Sequence, residues 1–464
     1  MTDLSARIQA GQPIEDLARE FLDAIAAVKT NVARRLADQH PEIADANIHV
    51  AAALGDVERV ADFLRRDPTL VAAPAADRPW PPLMYTCWSR FHQIGPKPAT
   101  ASLRTVEYLL DHGADPNTWA RSNPDDPKSS LPVLYCACES NNVPVVKLLL
   151  ERGAKPDDGE STYHSAQHAH LECLELLLAH GADISSRHPH WNNTPLYFLA
   201  GHHDDENGAA PWLEGFTWLL GHGADPNVTS YDHGETPLHA LVRSSATIAA
   251  AGTLLDHGAL VDAPRSDGRT PYAIAVRCGN QTAVDLLRGR GAGNITLAPI
   301  DTLMGACMRA DETAARDILR QHPDLMSQLA DEDRSLLTAA ATQDLVGAIR
   351  LMAALGFDLA WEGSDGGTPL HHAAWRGRTA AVRALVQAGA PVNVRDRTFG
   401  SSPIAWAAHG STNCRTADDD YCAVVTLLAD AGAEVAPSIN RWDEPAVSMA
   451  SRRVKALLLE RGFE

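Results

Sequence analysis

Two short patterns of apolar and polar positions alternate along the chain. The first closes a helix: YLLDHGADPN (108–117), LLLERGAKPD (148–157), LLLAHGADIS (176–185), WLLGHGADPN (218–227) and LVQAGAPVN (385–393). A run of leucines supplies the apolar face, a glycine follows where the helix must stop, and Asp-Pro or its equivalent turns the chain. Glycine suits that stop because it adopts the left-handed conformation without a side-chain clash. The second pattern opens a helix: NTPLYFLA (193–200), ETPLHALV (235–242), RTPYAIAV (269–276), GTPLHHAA (367–374) and SSPIAWAA (401–408). Thr caps the first turn, and Pro takes the first helical position, where its missing N–H costs nothing. The small and apolar positions that follow allow helices to pack closely. The alternation predicts helix–turn–helix units throughout, with Leu148 among the core leucines and Gly153 in the left-handed turn.

The spacing is regular. Gly258 to Gly291 and Gly356 to Gly389 each step 33 residues. That period, together with the T-P-L-H-x-A phrase, resembles the ankyrin repeat. The resemblance is strong over 131–292 and 365–435, and weaker over 46–117, 300–360 and 440–464. It implies an all-α solenoid of about 11–12 helix–turn–helix repeats, joined by hairpin fingers and stacked into a curved array. More narrowly, LMYTCWSRF (83–91), TYHSA (162–166) and PIAWAAHGS (403–411) resemble segments of bacterial multi-repeat ankyrin proteins. The family resemblance implies recognition of protein partners along the concave face.

Three regions depart from the pattern. Residues 1–45 are not a repeat; Leu17, Phe21, Leu22, Ile25, Val28, Val32 and Leu36 fall mostly at helical spacing and predict a helical cap. The stretches 47–70 and 301–325 have a similar shape, with Pro68 and Pro323 in place of the glycine turn. The expected organisation is therefore a cap at 1–45, one sub-array at 46–295 and a second at 296–464, ending in a cap repeat. Extra residues fall at 90–103, 118–130, 201–211 and 410–420. Three of these lie between the helices of a repeat, and 118–130 lies at a finger. Such insertions project from one face and can shape a binding site.

Composition narrows the function. Lys and Arg number 40 against 59 Asp and Glu, giving a net charge of −19. A general nucleic-acid or anionic-membrane binder needs a basic face, so neither partner is expected. No apolar run is long enough to span a membrane. The eight cysteines have no paired zinc-site spacing and read as buried thiols in a reducing compartment, so the cytoplasm is the expected setting.

Candidate chemistry sits just past the inner-helix core. Alignment of the repeats places Glu139, His168, His202, Arg243, Arg277, Trp375, Arg376 and His409 on the concave face. Arg243 and Arg277 share a register in adjacent repeats and could hold a carboxylate or phosphate, or be solvated charge on the inner groove paired with nearby acids. Tyr85, Tyr135 and Tyr197 occupy the histidine slot of the signature, kept as His239 and His371; all five read as structural. His164 and His170 match ordinary signature positions. His164 and His168 are four apart on one helix, a spacing able to chelate, and His188, His190, His202 and His203 follow nearby. No ordered ligand set appears, so no metal and no cofactor is assigned. The segment GSTNC (410–414), with His409 and Asp418 to Asp420 close by, holds nucleophile-type residues without an established geometry. No phosphate loop, dinucleotide motif or nucleophile elbow is present, and no catalytic residue is assigned. The chain thus reads as a cytoplasmic protein-binding scaffold. The alternative is a small-molecule-binding protein or enzyme with a groove pocket walled by the inserted loops.

Overall fold

The computed structural model describes residues 13–121, 129–188, 190–201, 210–230, 233–293, 296–414, 421–434, 440–441 and 444–463. They fall into two compact units, divided between residues 230 and 233. The His202 position expected on the concave face lies outside the described residues, as do His203 and Asp418 to Asp420.

The first unit begins with α1 (Ile14–Ala26) and α2 (Thr30–Gln39). Two helix pairs follow, α3 (Ile48–Leu54) with α4 (Val57–Arg66), and α5 (Pro82–Trp88) with α6 (Pro96–Asp111). A finger then carries β1 (Trp119–Arg121) and β2 (Ser130–Pro132), paired antiparallel with Ala120 opposite Leu131. Three more pairs complete the unit: α7 (Val133–Glu139) with α8 (Val143–Glu151), α9 (Ser161–Gln167) with α10 (Leu171–Ala179), and α11 (Pro195–Gly201) with α12 (Ala210–Gly221).

Among the described residues the second unit holds seven pairs. They are α13 (Pro237–Leu241) with α14 (Ile248–Asp256), α15 (Pro271–Arg277) with α16 (Gln281–Gly289), and α17 (Pro299–Met308) with α18 (Glu312–Gln321). Next come α19 (Asp331–Thr342) with α20 (Val346–Ala354), and α21 (Pro369–Trp375) with α22 (Thr379–Gln387). The last are α23 (Pro403–Asn413) with α24 (Tyr421–Asp430), and α25 (Ala446–Met449) with α26 (Arg452–Glu460). Within each unit the first helix of a pair packs on the first helix of the next. One cluster of buried apolar side chains runs from Leu17 to Ala182 in the first unit and another from Leu303 to Phe463 in the second.

Local chemistry explains these elements. Thr236 and Thr368 cap α13 and α21 with a proline at the first turn, and each takes part in a reciprocal capping box with the histidine three residues on. At the other end of the units, Gly153 adopts φ +91° and a Cβ there would meet nothing within 4 Å, so its role is conformational alone. The outer helices bury less than their leucine runs suggest. Leu149 is fully buried, whereas Leu148 is only partly covered.

Residues 289–293 and 296–301 lie inside the second unit, where α15 packs directly on α17. Gly305 makes this approach possible: a Cβ there would sit 2.3 Å from the Val276 carbonyl oxygen. The N-terminal segment forms two helices. The first, α1, buries Leu17, Phe21, Leu22 and Ile25 and reaches beyond α3 to α5. Its Phe21 ring stands 6.0 Å from Phe91 in the first inserted segment, and Trp88 Nε1 donates to the Ala26 carbonyl at 3.2 Å.

Candidate functional site

The histidine slot is best located by its hydrogen bond. His239 Nε2 pairs with the Arg269 carbonyl oxygen at 3.2 Å and His371 Nε2 with that of Ser401 at 3.1 Å, each thirty residues further on. In both cases Nδ1 accepts from the capping threonine, which fixes the tautomer and leaves Nε2–H to donate. Tyr163 makes the same connection: its hydroxyl donates to the Asn193 carbonyl, also thirty residues on, and accepts the His188 N–H at 2.9 Å. Tyr163 therefore fills the slot that the sequence assigned to His164. His164, one residue later, is released from that structural duty.

His164 sits in a row of aromatic rings, one from each successive first helix. Trp88 lies 6.0 Å from Tyr135, Tyr135 lies 5.0 Å from His164, and His164 lies 6.0 Å from Phe198. Charged groups line the row. The Arg90 guanidinium stands over the Trp88 ring at 5.1 Å and 3.8 Å from Glu139 Oε1. His168 Nε2 is 3.4 Å from Glu139 Oε2. Glu160 reaches both His164 and His188 at 3.2 Å. Burial works against the charge of the Glu160 carboxylate, but its hydrogen bonds to His164 and His188 hold it down at about 2. Burial likewise opposes protonation of His164, and Glu160 overrides it and raises the imidazole above its ordinary value. Glu139 and His168 thus lie side by side. Arg90 and Glu160 were missed, because one lies in an insertion and the other before a helix that lacks the Thr-Pro opening.

The arginine register has a different outcome. Arg277 is 1% exposed and donates to Asp301 Oδ1 at 2.9 Å and Asp333 Oδ1 at 2.6 Å. Arg243 pairs with Glu235 and stands 3.7 Å from Glu332. Arg265 and Arg269 join the same network with Asp267. Five carboxylates meet four guanidinium groups, so no positive charge is left over for an anion. The pairing follows from burial, since an ion taken out of water needs its counterion beside it. Arg277 is therefore withdrawn from the concave binding face.

The third cluster lies on α21 and α23. Trp375 is edge-on to Trp406 at 6.1 Å and to His409 at 5.2 Å. Trp406 is a core residue, and its Nε1 donates to Asp396 Oδ2 at 3.0 Å. His409 is exposed and Arg376 partly so. The Ser411 hydroxyl donates to the Ala408 carbonyl at 2.6 Å and accepts the Ser451 N–H at 2.9 Å. It therefore serves helix packing, and the GSTNC segment forms no nucleophile–histidine pair among the described residues.

Exposed apolar side chains mark the fingers. Seven large hydrophobic residues are exposed among the described residues, and four of them stand between helix pairs: Trp119 (57%), Trp191 (61%), Leu260 (60%) and Phe399 (39%). No helix among the described residues is long and apolar enough to cross a membrane.

Comparison with known proteins agrees with this repeat geometry. A family profile described as "Ankyrin repeats (3 copies)" matches residues 99–188, 209–297 and 303–396. The chain is 26% identical over 284 residues to the E3 ubiquitin-protein ligase KEG of Arabidopsis thaliana, covering 57% of this chain and 17% of that protein. It is 31% identical over 192 residues to human palmitoyltransferase ZDHHC13, covering 35% of this chain and 31% of that protein. The chain thus spans less than a third of either relative. The crystal structure of the human ASB11 ankyrin repeat domain is similar at 22% identity, over 59% of this chain and 99% of that one, with a TM-score of 0.29. The profile covers more than half of the residues, and the thirty-residue bond recurs at Tyr163, His239 and His371, so the chain belongs to the ankyrin-repeat family.

Proposed function

We propose that the chain is a cytoplasmic scaffold that binds protein partners through its fingers and the exposed face of its inner helices. The observation that carries this reading is the placement of Trp119, Trp191, Leu260 and Phe399. Protein interfaces concentrate their energy in aromatic anchors of this kind. Glu139, His168, Trp375, Arg376 and His409, late in or just past the first helices of their pairs, would supply polar groups and rings to the same partner. Family membership supports a protein partner, and the net charge of −19 disfavours nucleic acid. Eight free thiols fit a reducing compartment.

Affinity capture from the native lysate tests the reading. A Trp119→Ser/Trp191→Ser double variant is compared with wild type and with Leu459→Ser, which changes an exposed leucine on the last helix. A protein enriched by wild type and by Leu459→Ser, and lost from the double variant, is the expected result. Equal capture by all three overturns it.

A further inference from the structure

We propose that Glu139, His164 and His168 form a site for a zinc-class divalent cation, with three protein ligands and a fourth position for an outside donor. One ligand atom from each of the three lies within 4.8 Å of the other two. Ligand bonds of about 2.0–2.2 Å place tetrahedral donors roughly 3.3 Å apart, so the side chains need to close by at most about 1.5 Å. The backbone favours this. Glu139 ends α7, the packed neighbour of α9, while His164 lies in α9 and His168 directly follows it. Four residues of helical spacing put the two imidazoles on one face.

Two further observations point to a cation. Glu139 Oε2 is shielded from solvent and receives no hydrogen bond; His168 Nε2, at 3.4 Å, does not have hydrogen-bond geometry. A buried carboxylate oxygen in that condition is costly, and a metal ion would satisfy it. The outer contacts of a metal site are also present. Glu160 Oε2 stands 3.2 Å from His164 Nε2, which leaves Nδ1, now 3.0 Å from Gln167 Oε1, to turn from that amide to the ion, and the Arg90 guanidinium approaches the other oxygen of Glu139. Such partners orient ligating imidazoles and carboxylates. Two imidazoles with one carboxylate suit zinc, cobalt or nickel, whereas magnesium and calcium prefer oxygen donors throughout. All three ligands retain partial exposure, from 19% to 33% of their side chains, so an ion and a fourth ligand can enter.

The test uses the full chain, untagged and stripped with a chelator. Co²⁺ is titrated while its visible ligand-field absorption is followed, and Zn²⁺ competition gives the affinity. Wild type is expected to bind one ion per chain at this site. His168→Ala should weaken binding by at least about 10-fold, and Glu160→Gln by about 10–100-fold, as for other outer-contact losses. His180→Ala/His222→Ala, which removes two histidines elsewhere on the surface, should leave the affinity unchanged. Circular dichroism confirms that each variant is folded; should His164→Ala fail to fold, the more exposed His168 still decides the matter. Absence of saturable binding by wild type, or equal affinity in His168→Ala, overturns the proposal.

Discussion

Arg277 on α15 donates from Nη2 to Asp333 Oδ1 on α19 across 2.6 Å, with both side chains almost wholly buried. Asp301 on the intervening α17 takes the other arm of the same guanidinium. One side chain thus ties three successive helix pairs together. Removing it leaves Asp333 buried without its counterion and Asp301 with Arg269 alone. Arg277→Ala should therefore destabilise the chain by about 3–5 kcal/mol. Urea unfolding of the second unit measures this, and a loss under about 1 kcal/mol would contradict the role given to the network.

His239 and His371 give the chain an acid-sensitive core. Burial pushes both imidazoles down to about 4, and their bonds to the Arg269 and Ser401 carbonyls only partly offset it. In the unfolded chain they take up protons near 6.5. Between those values the unfolded state holds more protons, so stability is full above about pH 6.5 and falls as pH drops towards 4. Each buried histidine accounts for roughly 3 kcal/mol across that window. Glu332 acts lower. Burial opposes its charge, but Arg265 overcomes this and holds it at about 2, so its contribution is lost as pH falls from about 4.5 towards 2. Urea midpoints from pH 7 to pH 4 should decline, and His371→Gln should decline less steeply than wild type. Parallel curves would show that His371 is not the group that titrates.

Gly153 tests the turn that ends each outer helix. Its φ of +91° suits no β-branched residue, while the space around it is open. Gly153→Val should cost about 1–3 kcal/mol through strain alone, and Gly153→Asn less. Thermal melts compare the two; a valine variant that melts like wild type would mean that the turn relaxes freely.

Leu149→Ala should cost about 2–5 kcal/mol through the cavity it leaves, and Leu148→Ala clearly less. Equal losses would contradict the burial difference between them. This pair shows how far the sequence can be read. The Leu-Leu-Leu run announces an apolar face without saying which leucine is central, because one residue turns the helix by about 100°.

The same one-residue ambiguity hid His164. T-P-L-H-x-A spacing identifies His239 and His371 directly, but α9 opens on Glu160-Ser161 and lacks the Thr-Pro marker. The slot there belongs to Tyr163, as its bond to the Asn193 carbonyl shows. Thirty-residue spacing to the following finger would have revealed this. The helices and glycine turns were legible because backbone conformation and local periodicity fix them. The burial of Arg277 was not. It depends on Asp301 and Asp333, which come from other repeats and become neighbours only through stacking.

The most direct test of the binding face is site-specific photo-crosslinking in cells of the native host. A photoreactive amino acid replaces Trp119, Trp191 or Leu459 in separate full-length proteins. Partner-binding fingers predict that positions 119 and 191 crosslink to a common protein and that position 459 does not. Crosslinks from position 459 to that protein, with none from the finger positions, would contradict the account.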